Sequence, residues 1–205
     1  LQLWSVERGR VAWERPWPGL RWVACLSGTV VGIARGAAHL ARDAKGALKA
    51  LLPRGARLAW VSGDHILVAS REAVHAFDLR GKAQHRHAVD PGVTAALVVD
   101  DHLWVGYRDG TVEHIEHGKN RGRQAQRPFE GIPSKPVTRI VKGPLDTLAL
   151  GFRDGTVGLW NRRTGKLLER RRLHGAIHHL RRLGQRLYAA TALGDTAQTD
   201  LGIFH

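Results

Sequence analysis

Short hydrophobic runs alternate with turn-forming residues along most of the chain. Between residues 136 and 175 the runs VTRIV, TLALGF, TVGLW and LLERRRL are separated by KGPLD, RDG and NRRTGK. Runs of this length, enriched in β-branched and aromatic residues and bounded by Gly, Asp and Asn, are typical of β-strands. The Asp154-Gly155 and Thr164-Gly165 pairs supply residues that accept the backbone angles of tight turns. The pattern predicts four short strands in this segment.

The same pattern recurs along the chain. Four arginines each end an apolar run and precede a turn, at spacings of 36, 37 and 45 residues, namely Arg35, Arg71, Arg108 and Arg153. Five glycines precede the following run at similar spacings, namely Gly19, Gly55, Gly92, Gly131 and Gly175. A period near forty residues with β-rich units predicts a propeller or a solenoid.

The segment AAHLARDAKGALKALL (residues 37–52) has two interpretations. Its Ala and Leu residues fit an amphipathic helix, with apolar side chains three or four positions apart. Aligned with the other units, however, AAHLARD falls on a third strand and ALKALL on a fourth, with Gly46 in the turn between them. The register favours a degenerate β-unit over a helical insertion.

The segment RDGTVGLWNRRTGKLL (153–168) resembles the turn, third strand and Trp-ending signature of WD-repeat proteins, and segments 1–10, 73–82 and 108–116 are weaker copies. Two features differ from that family: the Gly-His pair that opens its repeats is missing, and Ser5 or Asn161 replaces the Asp after Trp. The resemblance to a divergent WD-repeat protein implies an all-β fold, a WD40-like β-propeller of four-stranded antiparallel blades.

The phase of the repeat predicts the domain organisation. We expect one array over residues 1–205, with partial blades at 1–19 and 176–205 and whole blades at 20–55, 56–92, 93–131 and 132–175. About five blades would then form an incomplete or open ring, which another segment or chain completes. Because the sequence contains no Met, we expect a processed product or a piece of a longer polypeptide. We also expect the parent protein to be bacterial.

The charge balance narrows the classes of partner. The chain has 32 Lys and Arg against 18 Asp and Glu, a net charge of +14. Such an excess favours an acidic protein, nucleic acid or anionic lipid as partner, or it reflects only the composition of an Arg-rich proteome. A single cysteine, Cys25, and the absence of a run of about 20 apolar residues predict a reducing cytoplasmic location without membrane insertion.

The family resemblance places the four repeated arginines on one face. The turn between second and third strands and the link between blades share a face in WD-repeat propellers, so Arg35, Arg71, Arg108 and Arg153 would form a basic arc. The extra residues of segment 118–136 would bring Lys135 to the same face. Loops on a rigid scaffold often carry binding functions. Arginines that only cap solvated turns are an equally good explanation in an Arg-rich chain.

Catalytic and metal sites are not predicted. The histidine spacings, including His85-x-His87, lack a third ligand or a Cys cluster, no Ser lies in a GxSxG setting, and no Gly-rich loop precedes a helix. We therefore expect no cofactor, metal or small-molecule substrate. The segment RRRLHGAIHHLRR (170–182) is interpreted as a basic strand-turn-strand.

These observations predict a non-catalytic interaction scaffold or sensor of a larger assembly that offers a basic face to an acidic protein. The alternative is a nucleic-acid-binding surface, which the charge favours but which lacks a recognised motif. A propeller enzyme, for instance one resembling quinoproteins, would need a convergent set of acids, bases or metal ligands.

Overall fold

The computed structural model describes residues 2–5, 10–14, 17–26, 29–41, 48–52, 54–116, 129–191 and 196–200. Within them the chain forms strands and turns, with no helix. The chain divides into two compact units, Leu1–Pro91 and Gly92–His205. The expectation of one array with the boundaries given above stays a prediction.

The described residues of the first unit form ten strands in three antiparallel sheets. The sheets have the orders β1-β2, β3-β4-β5-β6 and β10-β9-β8-β7, so neighbouring strands in each sheet are consecutive in sequence. The strands are β1 (Gln2–Ser5), β2 (Arg10–Glu14), β3 (Leu20–Leu26), β4 (Thr29–Ala34), β5 (Ala37–Ala41), β6 (Lys49–Leu52), β7 (Leu58–Ser62), β8 (His65–Ala69), β9 (Ala73–Asp78) and β10 (Ala83–Ala88).

The second unit repeats this arrangement. Its described sheets have the orders β11-β12-β13, β14-β15-β16-β17 and β18-β19-β20. The strands are β11 (Val93–Val99), β12 (His102–Tyr107), β13 (Val112–Glu116), β14 (Val137–Lys142), β15 (Thr147–Phe152), β16 (Thr156–Asn161), β17 (Leu167–Arg172), β18 (Ile177–Leu183), β19 (Arg186–Thr191) and β20 (Thr196–Asp200).

The described residues of the Ala/Leu-rich segment include two strands, and the turn expected at Gly46 lies outside the described residues. Ala37–Ala41 and Lys49–Leu52 pair antiparallel as β5 and β6, so the strand interpretation is confirmed over the helical one. Of the blade expected at 93–131, residues 117–128 lie outside the described residues. None of the residues described above belongs to a helix that could span a membrane.

Sheets pack face to face within each unit. In the second unit, Trp104 of one sheet and Phe152 and Trp160 of the next belong to one buried cluster, and Leu159 and Ile177 belong to another. A glycine on the second strand allows the close approach: a Cβ at Gly151 would lie only 2.6 Å from Cγ2 of Ile177. Gly106 lies in the same way against Val137. The repeated glycine therefore keeps neighbouring sheets in contact.

Candidate binding surface

The four repeated arginines occupy equivalent turns. Each lies between the second and third strands of its sheet: Arg35 between β4 and β5, Arg71 between β8 and β9, Arg108 between β12 and β13, and Arg153 between β15 and β16. All four are exposed. Within the described part of the chain none of the four guanidinium groups makes a hydrogen bond or ion pair. Their exposure makes these side chains accessible to a partner.

Local hydrogen bonds fix the backbone of these turns. Arg35 (φ 51°) and Gly36 (φ 76°) form a two-residue turn in which both residues are left-handed, which matches the twist of a hairpin. In the other unit, Asp109 accepts from the N–H of Thr111 at 2.9 Å, and Asp154 accepts from the N–H of Thr156 at 3.0 Å. Side-chain acceptors of this kind define the backbone conformation of the turn that carries the adjacent arginine.

Each turn is also bonded to a segment that enters or leaves its sheet. The N–H of Arg108 donates to the carbonyl of Gly92, and the N–H of Arg153 donates to that of Pro136, both at 2.9 Å. The first unit shows related bonds, from Ala56 N–H to Gly36 O at 2.8 Å and from Val89 N–H to Glu72 O at 3.0 Å. The arginines therefore lie at the same end of their respective sheets.

Lys135 lies beside the turn of Arg108. Its side chain is exposed, and its N–H donates to the carbonyl of Pro133 at 2.8 Å. A Cβ at Gly110, in the Arg108 turn, would lie 3.0 Å from the backbone nitrogen of Lys135. Two of the five site residues predicted from the sequence are thus brought together in one unit.

Acidic residues accompany three of the four arginines. Glu72, Asp109 and Asp154 directly follow Arg71, Arg108 and Arg153, whereas Arg35 is followed by glycine. A carboxylate next to a guanidinium group reduces the field that an approaching anion meets. The four turns are therefore alike in position and unequal in charge.

The excess charge is concentrated in two segments. Residues 132–175, which contain β14 to β17, hold ten Lys and Arg against three Asp and Glu, a net charge of +7. Residues 20–55 hold six Lys and Arg against one Asp, a net charge of +5. The net charge of each remaining segment of the repeat lies between −1 and +1. This distribution was overlooked at the sequence level, and counting charge per repeat would have revealed it.

A polar cavity of about 300 Å³ lies at the other end of two sheets in the second unit. Arg162 donates through Nη1 to Asp100 and through Nε to Asp146, at 2.7 Å each, and Lys142 Nζ lies 3.0 Å from Asp100. The cavity is lined by Asp100, His102, Trp104, His114, Asp146, Arg162 and Arg163. Sequence reasoning missed this cluster because its members are distant along the chain.

The ion pairs shift two pKa values. Hydrogen bonds from Lys142 and then Arg162 hold the pKa of Asp100 below its ordinary value. Burial alone would lower the pKa of Arg162, but its bonds to Asp100 and Asp146 raise the pKa above the ordinary value. Both groups are therefore charged at neutral pH, and the cluster ties three turns together.

The described tryptophans of the second unit serve packing. Trp160 is fully buried and donates from Nε1 to the carbonyl of Glu130 at 2.8 Å. Trp104 stacks on His114 with ring centroids 5.0 Å apart, and among the described residues its buried Nε1 has no acceptor. Neither ring is exposed enough to stack on a base.

Histidines cluster in the first unit without forming a metal site. The rings of His85 and His87 on β10 lie 6.0 Å apart. Burial and then Arg86 lower the pKa of His75, and burial and then His85 lower the pKa of His87. Over the residues that the structure describes, no three His, Cys, Asp or Glu side chains are grouped as metal ligands.

The similarities to known proteins are structural. No protein-family model matches the sequence, and neither does any curated protein. The chain is similar to the computationally designed Ika8 protein, with a TM-score of 0.68 and 17% identity over 96% of this chain and 64% of that chain. It is also similar to the computationally designed Ika4 protein, with a TM-score of 0.57 and 18% identity over 70% of this chain and 89% of that chain. A third similar structure is a chain of the mitotic checkpoint complex, with a TM-score of 0.72 and 16% identity over 90% of this chain and 68% of that chain.

At these identities the likeness shows the fold alone. The chain spans 64% of the length of the Ika8 chain, so the activity of a whole protein does not follow from the match. The predicted fold class is confirmed: the chain is all-β, of the β-propeller type, with four-stranded antiparallel blades.

Proposed function

We propose that this chain is a non-catalytic protein-interaction module of a larger assembly, and that a basic surface on it binds an acidic protein. In the first unit the surface comprises Arg35 and Arg71, and in the second unit it comprises Arg108, Arg153 and Lys135. The four arginines are named here the turn arginines. We further propose that the repeats are divergent WD repeats and that the protein is bacterial and cytoplasmic.

One observation carries the proposal. The turn arginines occupy the same position in four sheets, are exposed, and lack hydrogen bonds and ion pairs within the described residues. Arginine presents a planar fork of donors that binds carboxylates bidentately. Rigid turns at one end of a sheet present such groups without a large ordering cost. The similarity to a chain of a multi-protein complex is consistent with protein partners.

Partner capture with matched charge variants tests the proposal. The test variant is R35E/R71E/R108E/R153E, and the control is R21E/R80E/K166E/R181E, whose four residues are exposed and lie outside these turns. Both variants lower the net charge from +14 to +6. Immobilised proteins are incubated with a bacterial extract at physiological salt, and retained proteins are quantified by mass spectrometry.

The expected result is a set of acidic proteins retained by the parent chain and the control but lost with the test variant. Equal retention by all three would contradict the proposed surface. Equal loss with both variants would show that net charge alone is responsible. Circular dichroism of each variant checks that the β-fold persists.

Nucleic acid is the second candidate ligand, and the concentration of charge in residues 132–175 favours it. The burial of Trp104 and Trp160 weighs against a base-stacking platform, because single-strand binders use exposed aromatic rings. We therefore rank it below an acidic protein.

A further inference from the structure

Strand β17 is the outer strand of its sheet. It pairs with β16 along one edge, and among the described strands none pairs with its other edge. Such an edge presents unpaired backbone N–H and C=O groups that can accept a further strand. Its side chains are also accessible: Arg170, Arg171 and Arg172 are exposed, and Leu168 is 38% exposed.

The arginines of β17 are divided between two faces. Because side chains alternate along a strand, Arg170 and Arg172 share one face and Arg171 lies on the other. Arg171 Nε lies 2.8 Å from Oε1 of Glu169. Arg170 and Arg172 have no ion pair or hydrogen bond within the part of the chain that is described. One face of the outer strand therefore carries two cations two positions apart.

This basic edge continues toward one of the turn arginines. Arg172 is paired with Thr156, which starts the strand after the Arg153 turn, and the N–H of Leu173 donates to the carbonyl of Gly155 at 2.9 Å. The end of β17 is thus fastened to the turn that presents Arg153. The outer strands of the first unit differ: β10 carries one arginine, with His87 buried beside it, and β6 carries Lys49 alone.

We propose that the free edge of β17 binds an extended acidic segment of a protein partner as an added strand. Backbone hydrogen bonds hold the segment, and acidic side chains at alternate positions lie opposite Arg170 and Arg172. A second copy of β17 is disfavoured because like charges would face each other across the strands. The proposal rests on the proposed function in taking the partner to be an acidic protein, but it assigns the contact to a different set of residues.

A defined peptide tests this contact without knowledge of the natural partner. The probe is a fluorescein-labelled peptide of alternating Glu and Thr, and its matched probe has the same sequence with every amide N-methylated. Binding is measured by fluorescence anisotropy for the parent chain, for R170E/R172E, and for R21E/R80E, which changes the net charge equally at two exposed sites. Equilibrium unfolding of each variant confirms that it is folded.

The unmethylated peptide should bind the parent chain and R21E/R80E within about twofold of each other, and R170E/R172E should bind it roughly tenfold more weakly. The N-methylated peptide should bind poorly to all three, because it cannot donate backbone hydrogen bonds. Equal binding of both peptides, or unchanged binding to R170E/R172E, would overturn strand addition. Dimerisation of the parent chain that R170E/R172E abolishes would assign the edge to a second copy instead.

The two proposals fail separately. R170E/R172E leaves all four turn arginines in place, so peptide binding can be lost while partner capture through the turns persists. Conversely, R35E/R71E/R108E/R153E leaves β17 intact. Loss of capture with that variant while R170E/R172E still binds the peptide would support the turn arginines and refute the edge.

Discussion

Arg162 and Asp100 connect two sheets of the second unit, with Nη1 of the arginine 2.7 Å from Oδ2 of the aspartate across 62 positions of sequence. The same guanidinium group donates to Asp146, so the turns before β12, before β15 and before β17 meet at one cation. Asp100 and Asp101 form their turn with left-handed backbones at φ 47° and 59°. The turn aims an acidic side chain at a neighbouring sheet and requires a residue that tolerates this conformation.

Removal of Arg162 should therefore cost more stability than removal of Asp100. Each substitution breaks two ion pairs, since Arg162→Met loses those to Asp100 and Asp146 and Asp100→Asn loses those to Arg162 and Lys142. The Arg162 side chain is the less exposed of the two, at 20%, so its contacts are less screened by solvent. Because the Asp100 side chain is 53% exposed, we expect a coupling between the two of about 0.2–1 kcal/mol. Urea unfolding of both single variants and the double variant measures it. A coupling of zero would show that the contact fixes geometry without stabilising the fold.

The buried His87 and the half-buried His75 predict loss of stability in acid. The pKa values of His75 and His87 lie below the ordinary 6.5, so below that pH the unfolded chain binds more protons than the folded one. The stability that the two neutral histidines contribute is fully present above their pKa in the unfolded chain. It is lost as the pH falls through their lower pKa values in the folded chain. The free energy of unfolding should decrease from pH 7 to pH 5, and His75→Gln/His87→Gln should flatten this dependence. An unchanged pH profile in the double variant would contradict the assignment.

The close approach at Gly151 predicts a packing defect. Gly151→Ala places a methyl group against Ile177, and overpacking of this kind costs about 1–3 kcal/mol. The control is Gly184→Asn, because nothing lies within 4 Å of that position and Asn tolerates its φ of 59°. Thermal unfolding should separate the two variants, and equal stability would show that the sheets can move apart without cost.

The acids beside the turn arginines predict a gain of function. Asp109→Asn/Asp154→Asn keeps the side-chain oxygens that accept from Thr111 and Thr156 but removes two negative charges. If these turns bind an acidic partner, affinity should rise roughly twofold for each charge removed.

Asp64→Asn/Asp101→Asn is the matched control, since these exposed residues lie in turns between first and second strands. An equal gain in this control would attribute the effect to net charge. Binding is measured by titration with a captured acidic partner.

Local signals account for what could be predicted of the fold. Strands and turns such as those around Asp154-Gly155 depend on residues close in sequence, so the periodicity of 136–175 predicted β14 to β17 correctly. The Ala/Leu-rich segment 37–52 shows tertiary pairing overriding helix propensity, since β5 obtains its hydrogen bonds from β4.

Long-range features of the site could not be predicted in this way. The turn positions of Arg35 and Arg153 followed from the repeat, but the cluster of Asp100 with Arg162 depends on how two sheets pack. The availability of Arg170 and Arg172 depends on which strand lies at a sheet edge, which local pattern does not encode.

Nucleic-acid affinity tests most directly whether the basic surface serves an acidic protein. We would measure binding of a duplex and of a single strand at two salt concentrations. If the basic surface serves an acidic protein, dissociation constants for nucleic acid should be weaker than about 10⁻⁶ M at physiological salt, which is the range of nonspecific binding by a basic protein. Tighter binding, with a log–log salt slope that flattens by roughly one unit for each turn arginine replaced, would contradict it and establish nucleic acid as the ligand.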